Sequence, residues 1–135
     1  MSSRTFVLSA AAGAVVSFTL GGLIYAVLLA DFFAANTTAV GVIKEPPLLW
    51  AIALSEVAAA TLLTLILGTW ARVTGVGAGA TVGAVFGLAT AIMFDFNVYG
   101  TMNMMNLTAT LIDPVLSAAR FAIAGGAIAF VAARA

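Results

Sequence analysis

Four long apolar stretches constrain the fold of this chain more than any other feature. They cover approximately residues 6–30, 48–70, 75–98 and 112–133. A helix of about 20 residues spans the hydrocarbon core of a bilayer, about 30 Å. Only 7% of the residues are charged and the mean hydropathy is +1.20, whereas a soluble domain is about one quarter charged. The sequence therefore predicts an all-α polytopic membrane protein: one domain over residues 1–135, folded as a four-transmembrane-helix bundle.

Proline and tryptophan residues delimit the second stretch. Pro46 and Pro47 precede it, and proline is tolerated in the first turn of a helix but blocks its extension upstream. Trp50 and Trp70 bracket it like the two aromatic belts of a membrane. About 20 helical rises of about 1.5 Å separate the two indoles by about 30 Å. This stretch is therefore predicted to cross the bilayer once.

The first and last stretches carry signals of their own. The first follows Arg4 and resembles a signal peptide, but its apolar run of about 24 residues exceeds the usual 7–15. We therefore expect a retained span. The last stretch opens at Asp113-Pro114, where the aspartate is predicted to be the N-cap of the helix.

The charged residues divide between the two ends of the predicted bundle. With four spans, the two termini and the connection 71–74 share one face, and three of the four arginines lie there: Arg4, Arg72 and Arg134. The opposite loops, 31–47 and 99–111, contain a single basic residue, Lys44. Cytoplasmic loops carry the excess of lysine and arginine. We therefore expect cytoplasmic termini and a multi-pass location in the inner (plasma) membrane.

Two missing residue types exclude several kinds of site. The chain contains no cysteine, which excludes disulfides, thiolate catalysis and iron–sulfur ligation. It contains no histidine, so there is no imidazole base, no histidine-ligated haem and none of the usual catalytic zinc sets. The net charge is zero and there is no basic patch, so nucleic acid is not expected as a partner. We expect no enzymatic activity and no cofactor.

Two opposite charges lie inside the predicted spans at similar depth. Glu56 follows Trp50 by about 9 Å of helix, and Arg120 follows Asp113 by about 10 Å. An unpaired charge there costs at least about 2.5 kcal/mol, so the two are expected to pair. One interpretation is a structural ion pair that fixes how the second span meets the fourth. The other is an outward-open pocket, with Arg120 as an anion clamp or Glu56 as a proton or cation acceptor.

Further polar residues are expected close to this pair. Asp113, Ser117 and Arg120 share one helical face, and Asp95 lies on an inward-facing stripe of the third span. The predicted outward polar cluster consists of Asp95, Asn97, Asn103, Asp113 and Ser117. If the ion pair is only structural, Asp95 and Asp113 are expected to be interfacial caps.

Three methionines, Met102, Met104 and Met105, raise a weaker alternative. Thioether ligands select Cu(I), so this loop is a candidate metal site on the outward face. Methionine is also common filler in such segments, and neither histidine nor cysteine accompanies it. The expected metal is therefore none, with this motif as the alternative.

Small residues recur at four-residue spacing on the last two spans. They are Gly79, Gly83 and Gly87 on the third span, and Ala118, Ala122 and Gly126 on the fourth. Helices in lipid associate through such small residues. The stripes predict close helix contact within one bundle, with a subunit-dimerising face as the alternative.

Segment 83–113 carries a family resemblance. Its motifs are Gly83-Ala84-Val85-Phe86-Gly87-Leu88, then Asp95-Phe96-Asn97, then Thr110-Leu111-Ile112-Asp113. They resemble the second half of an uncharacterised bacterial family of small four-helix membrane proteins, with a Gly-Ala-x-Phe-Gly-Leu, Asp-x-x-Asn and Thr-Leu-x-Asp signature. In this chain the asparagine follows Asp95 by two residues rather than three. The resemblance implies the fold and a role for Asp95, Asn97 and Asp113; the family itself has no established activity.

The sequence alone favours a non-enzymatic membrane protein, acting as a small accessory or scaffold subunit of a membrane assembly. The first alternative is a small transporter that works as a homodimer through Glu56 and Arg120. The weaker alternative is metal binding by the methionines. The expected partners are the lipid bilayer and either a second copy or a larger membrane complex.

Overall fold

A computed structural model describes residues 1–135; all of the regular secondary structure is helical, and there are no strands. The helices are α1 (Ser3–Gly21), which continues as a π-helical segment (Gly22–Leu28), α2 (Ala30–Asn36), α3 (Leu49–Leu65), which continues as a second π-helical segment (Ile66–Trp70), α4 (Val76–Thr101) and α5 (Leu107–Ala132).

Four of these helices are long and apolar enough to cross a membrane, as the sequence predicted. They are Ser3–Leu28, Leu49–Trp70, Val76–Thr101 and Leu107–Ala132. Because the number of spans is even, both termini lie on the same face of the bundle. The short helix α2 was not predicted, and it lies in the long connection between the first two spans.

The last helix begins earlier than the sequence predicted. Asp113 is not its N-cap: α5 starts at Leu107, and the Asn106 side chain accepts a hydrogen bond from the backbone N–H of Ala109. Pro114 therefore lies inside the helix. An asparagine is as good an N-cap as an aspartate, and threonine and alanine residues let the helix extend through the interfacial region.

Helix α5 is the centre of the bundle. Helix α4 packs along one side of it, α1 packs along another side, and α3 packs mainly on α1. The buried core lies where α3 meets α5, and its members are Leu63, Leu67, Phe121, Ala124 and Ile128. Helix α4 has no extensive contact with α1 or α3, so much of its surface is left for lipid or for another subunit.

Glycines bring α4 against α5 backbone to backbone. A Cβ atom on Gly79 would lie 2.6 Å from the carbonyl oxygen of Gly125, and one on Gly83 would overlap the carbonyl oxygen of Phe121. The glycine stripe of α4 therefore packs within the bundle. On α5 the closest backbone approach is at Gly125, whereas Gly126 meets α4 at ordinary distances.

The two loops at the face opposite the termini are joined to each other. The Asn106 side-chain amide donates to Asn36 Oδ1 across 2.7 Å, and the Asn106 backbone N–H donates to the Asn36 carbonyl across 3.0 Å. Beside them, the Thr38 backbone N–H donates to the Met104 carbonyl. These bonds fix the end of α2 against the start of α5, at the end of the bundle that is opposite the termini.

Candidate functional site

Arg120 and Glu56 form the one salt bridge within the protein. Arg120 Nη1 donates a hydrogen bond to Glu56 Oε1 across 2.6 Å, and the two side chains are only 13% and 9% exposed. The structure thus brings together the two charges that the sequence placed inside the spans. The pair joins α3 to α5 next to α1.

The surroundings of Arg120 are shaped to hold its guanidinium group. Gly21 at the end of α1 leaves room for it, since a Cβ atom there would lie 2.8 Å from Arg120 Nη1. The guanidinium carbon lies 4.6 Å from the ring centre of Phe121 and 5.8 Å from that of Tyr25. Such cation–π contacts attract the guanidinium group to the two rings.

The ion pair leaves hydrogen-bonding capacity unused. Glu56 Oε2 and Arg120 Nε are buried and have no hydrogen-bond partner within the protein. A buried polar atom without a partner costs about 1–3 kcal/mol, and more when the group is charged. In a purely structural ion pair, both of these atoms would be expected to have hydrogen-bond partners within the protein. Glu56 Oε2 and Arg120 Nε can therefore form hydrogen bonds with a further polar group.

A cavity of about 650 Å³ lies beside the pair, between α1 and α3, and Arg120 and Glu56 form part of its wall. Most of the remaining wall is apolar, with Phe18, Tyr25, Phe33, Ile43, Leu49 and Ile52 as its large side chains. Three exposed charged residues also line it: Asp31, Lys44 and Glu45. The cavity therefore opens near these three, at the face away from the termini.

The π-helical segment Gly22–Leu28 forms one side of this cavity. It contributes Gly22, Tyr25 and Ala26 to the wall. π-Helical turns are rare and are often found at functional sites. Here the wider turn changes the direction of the Tyr25 side chain relative to the regular part of α1.

A second group of polar side chains lies next to the ion pair. The Tyr25 hydroxyl lies 3.5 Å from Ser117 Oγ and close enough to the Asp113 carboxyl group to interact with it. Asp113 lies one turn before Ser117 and Asp95 two turns after Gly87, so the contact of Gly87 with Ser117 brings the two carboxyl groups close together across the α4–α5 interface. Asp95 is only 3% exposed, and its Oδ2 atom has no hydrogen-bond partner within the protein. This arrangement lies inside α4 and α5, so neither aspartate is an interfacial cap.

Two members of the predicted polar cluster lie outside this group. Asn97 is exposed on α4, and Asn103 is exposed in the following loop. The structure thus brings together Asp95, Asp113 and Ser117 and leaves the two asparagines at the surface. Asn97 is only two residues past Asp95, and that spacing puts it on another face of the helix.

The three methionines of the loop after α4 differ in their exposure. Met102 is 56% exposed, whereas Met104 and Met105 are half-buried. Nowhere in the protein do three or more histidine, cysteine or acidic side chains gather as potential metal ligands.

Sequence reasoning offered an outward-open pocket at Glu56 and Arg120 as one interpretation, but it missed Tyr25, Gly21 and the position of the cavity between α1 and α3. A tyrosine within an apolar span and the adjacent Gly21-Gly22 pair were the available signals. They indicate a polar group and a close approach within the first span, but not which helix they face.

Fold and site together describe a helical protein with four helices that can span a membrane and a partly open, mainly apolar cavity that contains one ion pair. No protein-family model matches this sequence, and no characterised protein or solved structure shows a significant match to it. The resemblance carried by segment 83–113 therefore stays a prediction.

Proposed function

We propose that this chain is a non-enzymatic integral membrane protein that binds a small amphipathic molecule in the cavity between α1 and α3. The observation that carries this proposal is the combination of the cavity with a buried ion pair that keeps vacant hydrogen-bonding positions. Ligand sites are commonly apolar clefts of about 300–1,000 Å³ with a few polar groups that orient the ligand. The cavity volume of about 650 Å³ lies within that range.

The wall of the cavity defines the chemistry of the proposed ligand. Arg120 and Glu56 neutralise each other, so the polar end of the ligand needs a hydrogen-bond acceptor for the guanidinium and a donor for the carboxylate, but no net charge. A zwitterionic or an uncharged hydrogen-bonding group meets both needs. The apolar body of the ligand packs against aromatic and aliphatic side chains, as Phe18 and Ile52 provide.

The orientation follows from the charges. We infer cytoplasmic termini, because Arg4, Arg72 and Arg134 lie at that face and Lys44 is the one basic residue of the opposite loops. The cavity then opens outward from a plasma membrane. A binding site of this kind supports the small homodimeric transporter as the wider function, because a transporter must first recognise its substrate at an open site.

The proposal is tested by what the protein retains on purification. Wild-type protein, the Glu56→Gln/Arg120→Leu double variant and the exposed-charge control Arg4→Leu are purified in mild detergent, and their solvent extracts are compared by mass spectrometry. We expect one small amphipathic compound at near-stoichiometric amount in the wild type and the control, and its loss from the double variant. Identical extracts from all three proteins would contradict a site at this ion pair.

A second candidate function is an accessory subunit of a larger membrane assembly. Helix α4 favours it, because this helix packs mainly on α5 and exposes large apolar residues on its outer side, such as Val85, Met93 and Phe94. Size and composition in mild detergent separate the two candidates. A stoichiometric larger partner supports the accessory subunit, and a homodimer without other proteins supports the transporter.

A further inference from the structure

Asp95 and Asp113 form a carboxyl pair that the Arg120–Glu56 salt bridge does not include. The α4–α5 packing brings them together, since Gly87 of α4 lies against the backbone of Ser117. In two antiparallel helices, one further turn along each brings Asp113 level with Ala91. Helical side chains lean toward the N-terminus of their own helix, so Asp95, one turn beyond Ala91, leans back toward Asp113. The register of the two helices therefore brings the two carboxyl groups close together.

The charges around this pair do not balance. Tyr25, from the π-helical segment of α1, is the titratable group beside Asp113, and the ion pair of Arg120 with Glu56 lies on the other side of Tyr25. Arg120 is the one cation among them, and it already donates to Glu56. With every carboxyl group ionised, three negative charges would face one positive charge within the membrane region.

One buried oxygen atom of the carboxyl pair has no hydrogen-bond partner within the protein. Asp95 is only 3% exposed, so it is more than nine-tenths buried, and its Oδ2 atom accepts no hydrogen bond from the protein. Ionised carboxyl groups within a membrane are costly unless they are paired. Two carboxyl groups can form a hydrogen bond only when a proton lies between them, and two carboxylates can otherwise approach only around another cation.

We propose that Asp95 and Asp113 together bind one monovalent cation, a proton or Na⁺. The Ser117 and Tyr25 hydroxyl oxygens lie beside Asp113 and supply the additional oxygen donors that a hard cation prefers. A divalent ion does not suit this position, because Ca²⁺ needs six to eight oxygen ligands and Mg²⁺ retains several waters. The inference is independent of the proposed ligand in the cavity, and its test requires no cavity ligand.

Tyr25 connects the two sites. Its ring forms part of the cavity wall, while its hydroxyl group lies beside Ser117 and Asp113. Occupancy of the carboxyl pair therefore alters the position or the hydrogen bonding of a residue that lines the cavity. Cation binding and access to the cavity are thereby linked through one side chain.

The first arm of the test detects a bound proton. Infrared spectra of the purified protein at neutral pH are compared for wild type, Asp95→Asn, Asp113→Asn and the control Asn97→Ser, whose side chain is exposed on α4 and does not line the cavity. Proton binding predicts the carbonyl-stretch band of a protonated carboxyl group in wild type and in the control. The same band is lost in both of the other variants.

The second arm detects Na⁺. The melting temperature is measured in NaCl and in an equal concentration of choline chloride, because a ligand that binds only the folded state raises it. Na⁺ binding predicts a higher melting temperature in NaCl for wild type and Asn97→Ser, and no such difference for Asp95→Asn.

Each outcome decides the proposal. A variant-sensitive carboxyl band identifies the proton as the bound cation, and a variant-sensitive NaCl effect identifies Na⁺. The absence of both signals in wild type overturns the proposal, as does a signal that Asp95→Asn and Asp113→Asn leave unchanged. If one of the two variants fails to fold, the other still shows whether the signal belongs to the pair, and a wild type without either signal overturns the proposal in any case.

Discussion

Arg120 Nη1 donates to Glu56 Oε1 across 2.6 Å, and this bond joins two helices whose backbones approach each other at few positions. Helix α3 packs mainly on α1, which in turn packs on α5. The ion pair therefore connects α3 directly to α5 beside a cavity that the other side chains leave open. It fixes the cavity wall and supplies its polar groups at the same time.

The first prediction is that each charge of the ion pair destabilises the protein when the other is removed. Arg120→Leu leaves Glu56 as an uncompensated buried charge, so we expect a loss of about 3 kcal/mol or more in the free energy of unfolding. Adding Glu56→Gln should recover most of that loss, because the buried charge is then removed. Reversible unfolding in mixed micelles measures both, with the exposed Arg4→Leu as a control near zero. Additive losses in this cycle would show that the pair does not act as a unit.

The contact between α4 and α5 predicts opposite effects for two glycines of the same helix. Gly83→Ala places a methyl group on the backbone of Phe121, and such overpacking costs about 1–3 kcal/mol. Gly77→Ala meets nothing within 4 Å, and alanine favours a helix over glycine by up to about 1 kcal/mol. Thermal unfolding should therefore show a lower melting temperature for Gly83→Ala and an unchanged or higher one for Gly77→Ala. Equal behaviour of the two variants would be inconsistent with this helix contact.

Asn106 has two roles that substitutions can separate. Its Oδ1 atom caps α5, and its amide nitrogen donates to Asn36. Asn106→Ala removes both bonds, and we expect a loss of about 1–2 kcal/mol in the free energy of unfolding. Asn106→Asp keeps the capping oxygen and loses the donor, so a smaller loss is expected in the same unfolding assay. If the aspartate variant is the less stable of the two, the cap is not the main contribution.

The orientation of the bundle predicts a simple fusion pattern. Alkaline phosphatase is active only outside the cytoplasm, and the arginine asymmetry assigns the termini to the cytoplasm. A fusion after residue 40 should be active, and a fusion after residue 135 should not. The reverse pattern would place the cavity on the cytoplasmic face.

The spans could be predicted from the sequence because hydropathy and length determine them. The meeting of Glu56 and Arg120 followed from depth and from the cost of unpaired charge. The depth of Arg120 was nevertheless counted from Asp113, whereas α5 starts at Leu107. Measured from the true start of each helix, Arg120 lies deeper along α5 than Glu56 does along α3, so α3 begins below the first turns of α5.

The position of the cavity between α1 and α3 and the role of Tyr25 could not be predicted in the same way. A cavity is a region where neighbouring helices fail to pack, and it depends on helix positions that periodicity does not specify. The π-helical turn that carries Tyr25 has no sequence signature comparable to an N-cap or a proline. Asn97 was predicted to join the polar cluster because it is close to Asp95 in sequence. It is exposed on another face of the helix.

The central claim is that the cavity beside the ion pair is open to water from the outer face. The chain has no cysteine, so a single introduced cysteine is the one thiol available for labelling. Gly22 lines the cavity, and its neighbour Leu23 does not. Both lie about 8–9 Å along the helix from the end of the span, since about 1.5 Å separates successive residues.

The decisive measurement is the labelling of Gly22→Cys and Leu23→Cys by a membrane-impermeant maleimide added to intact cells. A thiol reacts with maleimide as the thiolate, which forms in water and not in lipid. We predict rapid labelling of Gly22→Cys and little labelling of Leu23→Cys at equal expression. Failure of Gly22→Cys to react, or equal reaction at both positions, would contradict an outward-open cavity at the Arg120–Glu56 pair.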